Sequence, residues 1–196
     1  METAVLDADN QLIPVTAVTA ENFTDANLNR LVDEQDLVEL PKTYMTETMF
    51  DEVYFIRTAE QYLHLQSPYE WTHPPLGKIL LAVGIAAFGF NPFGWRITGV
   101  VSAMLLIPLM YLLGKKLFGS WIGGFSAAFL MSFDFMHFAM SRLGTTDTFV
   151  LFFSVASQLF FLIYLSGVVK NGWKATSVFP LFLAFVFFAF GFSDRK

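Results

Sequence analysis

Cysteine is absent from these 196 residues, which excludes disulfides and thiolate chemistry and leaves the redox compartment unreadable. Histidine is scarce as well: it occurs at 64, 73 and 137 only, with no HExxH or similar metal spacing. No glycine-rich phosphate loop is present, so nothing marks a nucleotide seat. Charge is thin, at 15% of residues, and unevenly spread: of 17 acidic residues all but Asp134, Asp147 and Asp194 precede Trp71. The net charge of −5 therefore belongs to an acidic polar head. No basic patch suggests nucleic acid as a partner. Residues 1–50 also lack the basic start and the apolar stretch of a signal peptide.

What the sequence has in abundance is apolar surface. Hydrophobic residues make up 55% of the chain and 24 of them are Phe, well above an ordinary soluble domain. An all-α, polytopic membrane protein is expected. Residues 1–48 read as a polar acidic segment, with scattered small residues to 30 and an undecided short helix or strand at 31–40. Residues 49–90 read as a loop bearing amphipathic and interfacial helices. Phe50 to Leu65 spaces Val53, Phe55 and Ile56, Ala59 and Tyr62-Leu63 by threes and fours, the signature of one amphipathic helix. Gln66 to Pro75 is a loop, extended by Pro74-Pro75. Leu76 to Phe90 is apolar for about 15 residues, short of the roughly 20 a span requires, and is expected to lie at the membrane interface.

Residues 91–196 hold the membrane helices, at about 96–114, 121–140, 146–169 and a shorter 177–192. Lys115-Lys116 and Lys170/Lys174 fall at alternate turns, and the positive-inside rule places both pairs in the cytoplasm. Arg96, the turn from Arg142 to Asp147 and the acid pair Asp51-Glu52 then share the opposite, outer side.

Each of these groups has a plain structural reading beside the chemical one. Asp51 and Glu52 at a helix start stabilise its dipole. His73 before two prolines suits a turn, and Lys78 can snorkel to headgroups. Arg96 and Arg142 can anchor helix ends, although on a side that the positive-inside rule depletes of cations. Asp147, after Thr145-Thr146, can cap a helix. Asp134 lies inside an apolar segment, where an unpaired charge costs at least roughly 2.5 kcal/mol, and His137 three residues on shares its helical face.

In order along the chain, Phe50-Asp51-Glu52, His73-Pro74-Pro75-Leu76-Gly77-Lys78, Trp95-Arg96 with Gly99, Phe133-Asp134, Ser141-Arg142 and Asp147 before Phe149-Val150-Leu151-Phe152-Phe153 resemble the protein O-mannosyltransferases. That resemblance covers roughly Met49 to the end. It implies a partial GT-C-type helix bundle and an inverting transfer of mannose from a polyprenyl (dolichyl) phosphate to Ser or Thr hydroxyls of an acceptor protein, outside the cytoplasm. The membrane would be the plasma membrane of a prokaryote or the endoplasmic reticulum of a eukaryote. The resemblance implies Asp51 as general base with Glu52 orienting base or acceptor, His73 and Lys78 shaping the site, Arg96 and Arg142 neutralising the lipid phosphate, and Asp134 and Asp147 supporting that network. A divalent cation is compatible with this chemistry, and nothing in the sequence demands one.

Members of that family carry a spanning helix before the acid pair and many helices after this point, so the chain is expected to need the remaining helices of a longer enzyme. Three other readings stay open: a related transferase using a polyprenyl-phosphate sugar on a lipid or glycan, an inactive membrane fragment or subunit, and, more weakly, a transporter built around Asp134.

Overall fold

The computed structural model describes residues 5–7, 12–16, 48–70, 72–73 and 75–192. Two units emerge, residues 1–47 and 48–196. In the first, two strands of two residues each, β1 (Val5–Leu6) and β2 (Leu12–Ile13), pair antiparallel with Val5 opposite Ile13. The expected element at 31–40 lies outside the described residues.

The second unit is helical. α1 (Glu52–Leu63) buries Phe55, Ile56 and Ala59 of the apolar positions in the predicted spacing, whereas Val53 and Leu63 are exposed. α2 (Pro75–Phe88) packs on α1 and on α3 (Pro92–Phe118). α3 starts earlier than the sequence suggests. Pro92 occupies the first helical turn, where its missing N–H costs nothing, and the Asn91 side chain accepts from the Gly94 N–H at 2.9 Å.

The apolar run over 121–140 is not one helix. α4 (Trp121–Ser132) stops at Phe133, and the Asp134 carboxylate accepts from the His137 N–H at 2.6 Å to start a separate short helix, α5 (Phe135–Met140). A side chain that satisfies the first free N–H of a new helix favours the break over continuing the old one. α6 (Asp147–Asn171) follows, then a 3₁₀ turn at Trp173–Ala175 and α7 (Phe179–Phe192). α3 and α6, of 27 and 25 residues, are long and apolar enough to cross a membrane.

α3 contacts α4 and α6, and α6 contacts α7. Between α3 and α4 the approach is close because glycine permits it: a Cβ on Gly124 would stand 2.7 Å from the Tyr111 carbonyl oxygen. Phe rings at 125, 129, 182, 185 and 188 remain exposed along the helices, as lipid-facing surface requires. The second unit is thus the all-helical bundle of a membrane protein, and a small core of Phe55, Ile56, Leu81, Trp95 and Phe149 sits where α1, α2, α3 and α6 meet.

Candidate functional site

The two acids at the start of α1 have opposite fates. Glu52 is fully buried. Its carboxylate accepts from the Arg96 Nε at 2.7 Å and Nη2 at 2.6 Å, a two-pronged match of guanidinium fork to carboxylate. The same carboxylate accepts from the backbone N–H of Gly144 at 2.5 Å and of Met49 at 2.6 Å. Four donors on two oxygens offset the desolvation of a buried charge. One side chain thus joins the start of α1, the start of α3 and the loop before α6. Gly144 is suited to that contact, since a Cβ there would meet Trp95 at 3.1 Å and the Glu52 carboxylate at 3.3 Å.

Asp51 is exposed, at the N-cap position of α1, yet its side chain makes no capping bond. With His73, Thr145, Thr146 and Asp147 it lines a cavity of about 520 Å³. Asp147 is exposed in the first turn of α6. It also borders a second, more apolar groove of about 710 Å³, walled by Leu106, Met110 and Val155 and reached by Asp134 and His137. Met140, Asp147 and Leu151 belong to both.

The loop that carries His73 is held by a second buried charge. Lys78 is fully buried, and its Nζ donates to the Glu70 carboxylate at 2.9 Å, the Glu70 carbonyl at 2.8 Å and the His73 carbonyl at 2.6 Å. Those three bonds use every donor an ammonium has. The His73 ring Nδ1 lies 3.1 Å from the Glu70 Oε1, the His73 N–H donates to the same oxygen, and the ring stands edge-on to Phe55 at 5.2 Å. The Thr72 hydroxyl also donates to Glu70. Burial by itself would raise the Glu70 carboxyl; bonds from Thr72, Lys78 and His73 outweigh it and hold the carboxyl down at about 2. The same burial, with the nearby Glu70 charge, raises Tyr62.

Of the eight residues singled out in the sequence, Asp51, His73 and Asp147 share the cavity, Asp134 and Asp147 share the groove, and Glu52 and Arg96 form the buried clamp behind them. Arg96 is 5% exposed and turned onto Glu52. Lys78 is likewise committed to Glu70 and the loop backbone rather than open to a ligand. Arg142 is exposed, with its guanidinium 3.8 Å from the centre of the Phe138 ring. Sequence reasoning missed Glu70 and Gly144. Glu70 carries a signal in its spacing, three residues before His73 and eight before Lys78; Gly144 acts through its backbone and carries none. Among the described residues no group of three or more His, Asp or Glu is placed to hold a metal ion.

Two long helices, α3 and α6, both begin at this site and both end in lysine, at Lys115-Lys116 and Lys170. Comparison with known proteins adds the chemistry. Residues 72–195 match the family model described as dolichyl-phosphate-mannose-protein mannosyltransferase. A Mycobacterium tuberculosis protein named polyprenol-phosphate-mannose–protein mannosyltransferase is 39% identical over 85 residues, 43% of this chain and 16% of that protein. Its Mycolicibacterium smegmatis namesake is 32% identical over 115 residues, 56% of this chain and 22% of that protein. A Pseudomonas savastanoi pv. phaseolicola protein named undecaprenyl phosphate-alpha-4-amino-4-deoxy-L-arabinose arabinosyl transferase is 44% identical over 64 residues, 32% of this chain and 12% of that protein. The matched regions thus span about a fifth or less of each relative's length, and no solved structure matches significantly. With the family model matching well over half of its residues, the chain belongs to the dolichyl-phosphate-mannose-protein mannosyltransferase family.

Proposed function

We propose that this chain carries the acceptor-activating part of a membrane enzyme that transfers mannose from a polyprenyl-phosphate donor to Ser or Thr hydroxyls of proteins, with inversion. The observation that supports it best is Asp51: a carboxylate at an N-cap that caps nothing, on a polar cavity that joins an apolar groove through Asp147. A donor with a polar head and a hydrocarbon tail needs both spaces. Asp51 takes the proton of the acceptor hydroxyl, the hydroxyl oxygen bonds to the anomeric carbon, and the bond from that carbon to the phosphate oxygen breaks with its electron pair, releasing polyprenyl phosphate. Attack opposite the leaving group in one step inverts the centre.

In this reading Glu52 acts through the backbone and Arg96 by holding the Glu52 carboxylate in place. Arg142, exposed at the same turn, meets the phosphate, Asp134 and Asp147 orient the polar head between groove and cavity, and Lys78 with Glu70 fixes His73 at the cavity wall. The lysines that end α3 and α6 support a cytoplasmic position for those ends and an outer or lumenal site.

The test is transfer of labelled mannose from polyprenyl-phosphate-mannose to a Ser/Thr peptide by membranes carrying the protein. Asp51→Asn is expected to slow turnover by at least about a hundredfold, the scale of losing a positioned base. Turnover at the wild-type rate would refute Asp51 as the base. A second reading, in which the acceptor is a lipid or glycan, is favoured by the likeness to the arabinosyl transferase. Offering a glycolipid acceptor beside the peptide decides between them.

A further inference from the structure

Among the described residues, two other than glycine have a positive φ, Phe50 at 58° and Leu65 at 54°. Leu65 has an ordinary cause. It follows the C-cap of α1, the Gln66 N–H reaches back to the Gln61 carbonyl at 2.9 Å and the Leu65 N–H to that of Tyr62 at 3.2 Å, which is how helices commonly end with one left-handed residue. Phe50 precedes a helix, where no such convention applies.

The Glu52 N–H donates to the Met49 carbonyl at 3.2 Å, so residues 49–52 form a β-turn with Phe50 and Asp51 at its centre. A φ of +58° at Phe50 followed by −76° and a ψ of −2° at Asp51 is the pattern of a type II′ turn, whose first central position favours Gly or Asn and penalises a bulky side chain. The turn is locked from behind: the buried Glu52 carboxylate holds the Met49 N–H as well. The Phe50 ring gains little from packing, being 87% exposed. N-cap residues ordinarily adopt extended dihedrals and turn their side chain onto the first helical N–H groups. Asp51 instead has helical dihedrals and no capping bond.

We propose that Phe50 is a positioning residue: its positive-φ backbone, clamped by Glu52, turns the Asp51 carboxylate away from its own helix and into the cavity. Strain of this kind persists where the surroundings over-determine it, and it clusters at reactive groups. The inference rests on the reading of Asp51 as the base.

The experiment replaces Phe50 with Gly, Asn, Val, Ile and Leu in the membrane-embedded enzyme and measures kcat and the donor KM for mannose transfer, with Asp51→Asn alongside. All five lose the ring, so a contribution from the ring itself is common to them. Val and Ile, which resist a positive φ, are expected to turn over at least about tenfold more slowly than Gly and Asn, a cost of the order seen for backbone strain, while the donor KM stays level across the series. Should Val and Ile fail to accumulate, Asn against Leu, close in size and opposite in tolerance, reads the same ratio. Equal turnover across the series, or faster turnover with the apolar side chains, overturns the proposal. Full activity of Asp51→Asn would instead overturn the reading of the base, so the two failures are separable.

Discussion

At the scale of single residues, the site separates an exposed carboxylate from a buried one placed beside it in sequence. Glu52 has four donors and no exposure, Asp51 exposure and no cap. Removing one partner of a buried pair leaves the other charge uncompensated, at a cost of about 3–5 kcal/mol. Arg96→Ala is therefore expected to destabilise the folded protein by that amount, read as a lower unfolding midpoint in detergent, and to reduce turnover by displacing the acid pair. A stable, fully folded variant with only a raised donor KM would return Arg96 to the phosphate. In the sequence the pair Asp51-Glu52 was visible as one feature and its division was not. Which acid is buried depends on Arg96 and on the Gly144 N–H, 44 and 92 residues away, and local pattern holds no record of either contact.

At the scale of elements, the periodicity of 50–65 identifies α1 and the centre of its buried face at Phe55, Ile56 and Ala59, while Val53 and Leu63 near its ends stay exposed. The apolar run over 121–140 reads as one helix in the sequence and folds as two. Apolar composition does not distinguish one long helix from two, and a lone Asp in the run was the sign of a new cap. The loop before α2 behaves as an element through Glu70. A carboxyl held down at about 2 stabilises the folded form fully above its ordinary value of about 4.5, and that contribution is lost as the pH falls from there toward 2. Unfolding midpoints followed from pH 6 to pH 3 are expected to drop, and Glu70→Gln to flatten the drop. An unchanged slope in that variant would show that the clip around Lys78 contributes nothing.

At the scale of the whole molecule, the polar groups gather where α1, α3 and α6 begin, and the lysines of α3 and α6 mark the far ends. Composition announced the membrane at once, since two helices of spanning length and rows of exposed Phe leave little surface for water. Alkaline carbonate washing is expected to leave the protein in the membrane pellet; release into the supernatant would count against spanning helices.

The clamp at Glu52 also sets a schedule for biogenesis. Glu52 and Arg96 can meet as soon as α3 is made, whereas Gly144, which completes the carboxylate's set of donors, leaves the ribosome later. At synthesis rates of about 5–20 residues per second, the stretch from the end of α3 at Phe118 to Gly144 takes roughly 1–5 s. For that interval α4 and α5 are made beside a half-finished junction, so the Glu52 clamp closes only after they have followed α3 and before α6 is made.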